Sequence, residues 1–496
     1  MDLDDDACYR ALTTRDARWD GKIFVGVRTT GVYCRPVCPA RTPLRRNVTF
    51  FPSASAAQGA GFRPCLRCRP ETSPDLGAWR GSSNTVARAL ALIEDGAMDG
   101  GDVEALADRL GVGARQLRRL FKTHLGASPV AVAQTRRVLL AKQLIQETRL
   151  PMAQVALASG FGSVRRFNET FRQLYGRAPA ELRRLGGEAR AGAGVTLRLA
   201  YRPPYDWPAL RDFLAARAIP GVEVVTDDAY GRTLEVAGLA GAVWVRPGRG
   251  DWLEVTVNFP SLRVLPQVIA RVRRVFDLGA DPAQINLRLS EDPDLAPLVA
   301  RRPGLRSPGA WDGFELAVRA ILGQQITVGA ARNLAHRITM AHGRPLPEPA
   351  GEGLTHLFPT PAALADLDPE SLPMPRARAR ALVGLARAAA ADPLLFSMRG
   401  SLEAVVARLK ALPGIGEWTA QYIALRQMRE PDAFPHGDVA LMRALAGPDG
   451  ARPSAEAMAR RAEAWRPWRA YAALHLWNAD AATAGPSAKP QEETCS

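Results

Sequence analysis

Hydrophobic residues change their spacing several times along the chain, and each change predicts a different kind of element. Between about 82 and 185 they recur at helical spacing among Ala, Leu and Arg. In Gln116-Leu117-Arg118-Arg119-Leu120-Phe121-Lys122 the apolar and basic positions fall on opposite faces. From Val195 to about 303 short stretches alternate instead. Thr196-Leu197-Arg198-Leu199 and Trp252-Leu253-Glu254-Val255-Thr256-Val257 send every second side chain to one face. That spacing predicts antiparallel strands, with one helix near Trp207–Arg217. From Trp311 onward the helical period returns. Residues 1–75 follow neither rule and are rich in Arg, Pro and Cys. The run Gly186–Gly194 predicts a flexible linker, and the Ala-, Gly- and Pro-rich chain after Asn478 predicts a disordered tail covering 481–496.

A chain of 496 residues exceeds one hydrophobic core. The shifts divide it into 1–75, 82–185, 195–303 and 304–480, a multidomain α+β protein. Lys and Arg number 65 against 50 Asp and Glu, a net charge of +15. The isoelectric point is near 10.1 and mean hydropathy is −0.12. Such a balance favours a polyanionic partner, nucleic acid or an anionic membrane surface. No apolar run approaches the roughly 18 residues of a spanning helix, so no membrane partner is expected. The acidic opening Met1–Asp6 predicts no secretory signal, and a cytoplasmic protein follows as the expectation. In a reducing compartment six cysteines are not read as a disulfide framework.

Four of those cysteines are paired by spacing. Cys34-Arg35-Pro36-Val37-Cys38 and Cys65-Leu66-Arg67-Cys68 can each grip one ion from a tight turn, and together they close a tetrahedron suited to Zn2+. Unligated buried thiols, the alternative, require no paired spacing. Cys8 and Cys495 stand apart. The flanking residues Thr29-Thr30-Gly31-Val32-Tyr33 and Gly61-Phe62-Arg63-Pro64 complete a segment that closely resembles the Ada-type domain. The resemblance implies repair of DNA methyl phosphotriesters, with Cys34 as methyl acceptor and Cys34, Cys38, Cys65 and Cys68 as zinc ligands. It also implies DNA contacts from Thr30, Arg41 and Arg63, while Pro39 stands where a basic contact is common. The chemistry is consistent from below, because zinc keeps a bound thiol deprotonated at neutral pH. A purely structural zinc knot is the alternative.

Two patterns lie about 49 residues apart: Ala107-Asp108-Arg109-Leu110-Gly111 before Gln116–Lys122, and Ala156-Leu157-Ala158-Ser159-Gly160 before Arg165–Arg172. Ala lets helices cross closely and Gly permits the turn between them. With the ending Phe171-Arg172-Gln173-Leu174-Tyr175-Gly176-Arg177-Ala178-Pro179, this segment resembles AraC-type DNA-binding domains. The resemblance implies that helices near Ala114–His124 and Ser163–Tyr175 enter successive major grooves. An Arg-rich helix pair that is merely solvated is the alternative.

Leu412-Pro413-Gly414-Ile415-Gly416-Glu417-Trp418-Thr419-Ala420 reads as a helix-hairpin-helix whose Gly414 and Gly416 let backbone approach a phosphate. It lies 22 residues before Asp438 in Phe434-Pro435-His436-Gly437-Asp438. Together with Ala320–Val328, Pro467–Trp477, Tyr201–Trp207 and Phe213–Arg217, the region resembles AlkA-type 3-methyladenine DNA glycosylases. The resemblance implies Asp438 as the catalytic carboxylate, although an ordinary helix N-cap Asp is compatible with the same position. It implies Gln325 as the residue that wedges into the duplex on base flipping. Lyase members carry a Schiff-base Lys where Trp418 stands, so hydrolysis without a lyase step is expected. Trp418, Tyr422 and Trp477 are expected to form an aromatic base pocket, against plain core packing. Carbonyls of Lys410, Leu412 and Ile415 are the expected donors for an alkali cation that some members bind.

The expected architecture is therefore a four-cysteine zinc domain, an all-α double helix-turn-helix domain, an antiparallel β/α domain and an all-α glycosylase domain. The Pro-Cys-His-Arg acceptor motif for O6-alkylguanine is missing from the sequence. The expected activity is a bacterial, nucleoid-associated transcriptional activator and alkylation-repair enzyme. It would act as a monomer on alkylated and promoter DNA and contact RNA polymerase. Two other readings are open: a transcription factor with a vestigial glycosylase, and a glycosylase with a merely tethering N-terminal half.

Overall fold

The computed structural model describes residues 4–74, 84–183, 194–346, 350–398, 400–447 and 450–483. The fold is multidomain α+β. The first region builds a four-stranded sheet in the order Val48–Phe51, Phe24–Val27, Val32–Cys34, Arg63–Pro64, with the last strand parallel to its neighbour. Its small apolar core includes Ile23, Val25, Val48 and Phe50.

Two helix-turn-helix units follow, Val103–Leu110 with Ala114–Leu125 and Met152–Ala158 with Val164–Tyr175. The turns need left-handed backbone, and Gly111 (φ 69°) and Gly160 (φ 85°) supply it. Ala107 and Ala156 are buried where the helices meet. The 19-residue helix Pro129–Glu147 joins the two units.

The alternating stretches form a five-stranded antiparallel sheet in the order Val195–Ala200, Trp252–Asn258, Leu239–Pro247, Tyr230–Val236, Glu223–Val225. The expected single helix is present as Trp207–Ala215. Three more helices, Leu265–Val275, Pro282–Leu289 and Ala296–Arg301, correct the expectation of strands up to 303. In the first of them Leu265, Val268, Ile269, Val272 and Val275 are all buried at helical spacing. Beyond Trp311 the chain is helical, and its core takes in Ile219 and Val222 from the preceding region. The last helix, Arg469–Thr483, also corrects the expectation of irregular chain after Asn478. Within it Asn478 Nδ2 also donates to the Leu474 carbonyl one turn earlier. The remainder of the expected tail, with Cys495, lies outside the described residues, as does the expected linker except Gly194.

The regions pack on one another. One apolar core runs from Val138 on the joining helix through Phe167 and Phe171 to Leu197 and Val255 of the five-stranded sheet. Lys142 on that helix pairs at 2.5 Å with Glu71 of the cysteine domain, and both side chains are 1% exposed. Burial pushes the Lys142 ammonium below its usual range, partly offset by Glu71. Lys22 reaches Asp281 at 2.5 Å, and Arg202 donates to the Asp20 carbonyl at 3.2 Å.

Candidate active sites and DNA-binding surface

Cys34 ends the strand Val32–Cys34 and Cys65 follows the adjacent strand Arg63–Pro64, so pairing of these strands brings the two cysteine turns together. The four sulfur atoms all lie within 4.8 Å of one another, and all four residues are buried. A tetrahedral zinc with Zn–S of 2.3 Å needs sulfurs about 3.8 Å apart, which this spacing accommodates. Backbone amides of Arg35 and Arg67 donate to Cys68 Sγ and Cys65 Sγ at 3.3 Å. Four thiolates this close repel one another. Hydrogen bonds donated by a protonated Cys34 push that thiol above the usual range, and accepting such bonds holds Cys65 below it. A dication removes that conflict, and the cluster is a site for one Zn2+. The Arg35 guanidinium beside the cluster is held by Asp20, the Cys68 carbonyl and Thr72.

Thr30 lies exposed in the loop between the first two paired strands, next to Gly31, whose carbonyl accepts the Arg63 amide at 2.9 Å. Arg41 is exposed three residues past Cys38, and Arg63 is half-buried. The helix-turn-helix units add exposed cations: Arg115, Arg118 and Arg119 on one helix, Arg165, Arg166 and Arg172 on the other. The ion pairs Arg118–Glu104 and Arg165–Glu169 are at the surface, where such pairs contribute little and yield readily to a phosphate.

The hairpin joins the helices Leu402–Lys410 and Glu417–Arg426. Gly414 has φ 80°, and a Cβ there would come 2.4 Å from the Ala381 Cβ, so both conformation and space exclude a side chain. Gly416 precedes a helix start without a side-chain cap, and nothing would crowd an added Cβ. Its neighbouring backbone amides are therefore open to an anion.

Asp438 is the N-cap of the helix Val439–Ala444. One carboxylate oxygen, Oδ1, accepts from the amides of Ala440 (2.8 Å) and Leu441 (3.2 Å). The other, Oδ2, accepts from the indole Nε1 of Trp418 at 2.6 Å. The capping role and an oriented half-buried carboxylate therefore coexist in one residue. Trp418 stacks on Tyr422 with ring centroids 5.1 Å apart, and Tyr422 meets Trp477 edge-on at 6.4 Å. The three predicted aromatic residues thus converge beside Asp438. Trp418 and Tyr422 stack directly on each other, which leaves no slot between those two rings.

Phe213 and Arg217, which serve at the sequence level only as points of likeness, reach the same wall. The Arg217 guanidinium lies 3.8 Å from the Phe213 ring centre, and that of Arg426 lies 4.8 Å away. Arg426 Nη1 donates to the Tyr422 hydroxyl at 2.7 Å. Burial pushes the Tyr422 phenol up, but Arg426 and Arg217 outweigh it and hold it below its usual range. No residue spacing signals these contacts, because Phe213 and Tyr422 stand on helices about 200 residues apart in the chain. Gln325 is exposed and its backbone is left-handed, with φ 60°. Its neighbour Gln324 donates to the Gly414 carbonyl at 2.9 Å and ties this loop to the hairpin.

Family models match the chain in four places. They are the metal binding domain of Ada over residues 7–71, a helix-turn-helix domain over 106–185, the AlkA N-terminal domain over 196–312, and the HhH-GPD superfamily base excision DNA repair protein over 318–470. The "Probable bifunctional transcriptional activator/DNA repair enzyme AlkA" of Mycobacterium tuberculosis is 44% identical over 482 residues, 96% of this chain and 97% of that protein. DNA-3-methyladenine glycosylase 2 of Escherichia coli is 39% identical over 283 residues, 56% of this chain and 95% of that protein. The solved 3-methyladenine DNA-glycosylase from Archaeoglobus fulgidus, 24% identical, shares the fold with a TM-score of 0.51 over 57% of this chain and 97% of that one. A zinc-binding four-cysteine domain, a double helix-turn-helix and a hairpin-bearing repair unit thus follow one another in the order of a near-full-length relative, and the chain belongs to the family that joins an Ada-type regulatory half to an AlkA-type HhH-GPD glycosylase.

Proposed function

We propose that the C-terminal half excises alkylated bases such as 3-methyladenine by hydrolysis, with Asp438 as the catalytic carboxylate, and that the N-terminal half accepts a methyl group from DNA methyl phosphotriesters onto Cys34. The observation that carries the first part is the Trp418–Asp438 hydrogen bond at 2.6 Å, which aims a carboxylate oxygen beside an aromatic wall and a phosphate-ready hairpin. Breaking the C1′–N bond leaves positive charge on the sugar. Asp438 stabilises that charge and orients the water that adds hydroxide to C1′; the bond's electron pair leaves with the base and neutralises its cationic ring, and the water's proton passes to solvent. Gln325 fills the space of the flipped nucleotide. Trp418 has no amine to form an imine, so the product is intact abasic DNA. A hairpin-bound alkali cation at the carbonyls of Lys410, Leu412 and Ile415 belongs to the same proposal.

Zinc, when bound, keeps the four sulfurs as thiolates at neutral pH. Cys34 Sγ then forms the S–CH3 bond as the methyl–oxygen bond breaks, and a phosphodiester anion leaves. The thioether that results is not a leaving group, so one protein accepts one methyl. Methylation removes about one negative charge from a cluster facing DNA. Thr30, Arg41 and Arg63 can then meet phosphates, the two recognition helices read a promoter, and a monomer contacts RNA polymerase.

The test pairs two variants of the full chain. Asp438→Asn should lower single-turnover release of 3-methyladenine by about 100-fold or more while holding lesion-duplex affinity within about threefold. Cys34→Ser should abolish methyl uptake and leave release unchanged. Release by Asp438→Asn near the wild-type rate would end the carboxylate assignment, and a methyl found on Cys38, Cys65 or Cys68 would end the other. A borohydride-trapped protein–DNA adduct would overturn hydrolysis without a lyase step.

A further inference from the structure

A helix packed beside the hairpin carries exposed positive charge that neither reaction uses. The helix Arg376–Ala391 opens with Arg376, Arg378 and Arg380. Successive residues turn by about 100°, so the three do not share one face. Ala381 faces the hairpin, since a Cβ on Gly414 would lie 2.4 Å from its own. Arg378 lies about 60° to one side of Ala381. Its guanidinium donates to the Gln324 carbonyl at 2.5 Å and so holds the loop before Gln325. Arg380 lies about 100° to the other side, and Arg376, four residues earlier, is within about 40° of it.

Arg380 is exposed, and no hydrogen bond or ion pair engages it among the described residues. Among the described residues Arg376 meets only Glu370, at 3.4 Å, with both side chains more than half exposed. Arg378 and Arg380 therefore have divided roles: the first locks the wedge loop, and the second projects from the hairpin's opposite flank. Ala381 and Gly414 fix the distance between Arg380 and the hairpin to within a helical turn. A strand whose phosphates pass the open amides after Gly416 would continue past this flank.

We propose that Arg380, with Arg376, binds backbone phosphates of duplex DNA beyond the hairpin, on the side away from Gln325. The contact rests on the glycosylase reading of the hairpin and deepens it. A guanidinium fits a phosphodiester as a two-pronged donor, reads no base, and adds grip that salt weakens.

The zinc-loaded full chain tests this with a lesion duplex lacking promoter sequence. Affinity is measured across a salt series, and single-turnover excision at saturating protein. Arg380→Ala should weaken binding about fivefold at low salt and lower the slope of log K against log salt by about 0.9. Arg376→Ala combined with Arg380→Ala should lower it further, and Arg380→Lys should restore most of the slope. Excision at saturation should not change. On a duplex cut short on that flank, wild type and Arg380→Ala should bind alike. Unchanged affinity and slope in Arg380→Ala would overturn the contact, as would an equal defect on the shortened duplex. Affinity reads the contact even if wild type releases no base, an outcome that would instead sink the glycosylase reading.

Discussion

The cysteine cluster and the glycosylase site are built on opposite plans. All four sulfurs come from two turns within one small sheet, between Cys34 and Cys68. The glycosylase wall gathers Phe213 and Arg217 from the β/α region, Trp418 and Tyr422 from the hairpin helix, Asp438 from a cap and Trp477 from the last helix. A metal can organise the first site by itself, because ligation supplies the binding energy. The second depends on apolar packing among helices, and the Asp438 carboxylate within it is held by a neighbouring indole. A site that is locally determined tolerates changes elsewhere in the fold, whereas a site assembled across domains is sensitive to each of them.

The largest expected effect is the removal of zinc. Structural zinc contributes on the order of 10 kcal/mol to folding in small domains. Chelation should abolish methyl uptake and the melting step of residues 4–74, while 3-methyladenine release stays within about threefold. A collapse of release under chelation would break the contrast, because the halves would then share one folding unit. Next comes the buried ion pair between the domains. Lys142→Met removes the 2.5 Å partner of the buried Glu71 carboxylate and leaves it only Arg69 at 3.1 Å, and should cost up to about 3 kcal/mol by denaturant unfolding. Adding Glu71→Leu should recover most of the loss. A cost below about 0.5 kcal/mol for the single change would show the interface to be open to water.

His475 gives a prediction for acid on the glycosylase side. Burial holds its imidazole down at about 4, below the unfolded value near 6.5. The unfolded chain therefore binds the proton first. Stability should decline as pH falls from about 6.5 toward 4, by up to about 3 kcal/mol, and be complete above that window. His475→Gln should flatten this slope, and an unaltered slope would count against the assignment. The smallest effect belongs to Trp418→Phe, which keeps a ring but removes the N–H that holds Asp438 Oδ2. Losing one hydrogen bond to a charged group, worth roughly 1.5–3 kcal/mol, should slow release about 10- to 100-fold with little change in KM. A change in KM alone would make Trp418 a stacking residue and nothing more.

Much of this was legible beforehand where chemistry follows spacing. The paired cysteines, the two Ala…Gly turns and the hairpin before Asp438 each place their residues within one or two local elements. Alternation along Trp252–Val257 likewise marked a strand. The helix Leu265–Val275 carries a full helical stripe yet lies in a stretch read as strands, because short apolar runs fit both periods. The last helix runs to Thr483 through Ala-rich chain that composition alone marks as loose. Ala is a strong helix former, and here packing extends an existing helix.

Sequence by itself determined which residues could do chemistry: four thiols at metal-binding spacing, a carboxylate after a glycine hairpin, and basic helices behind glycine turns. Tertiary structure decided what those residues touch. It set the indole of Trp418 on Asp438, brought Phe213 and Arg217 to the wall, sealed Lys142 against Glu71, and turned Arg378 inward while Arg380 faces out. The physical reason is range. Helix period, turn conformation and ligand spacing are set over a few residues, whereas hydrogen bonds across domains depend on how separate apolar faces pack, and no local spacing encodes that packing.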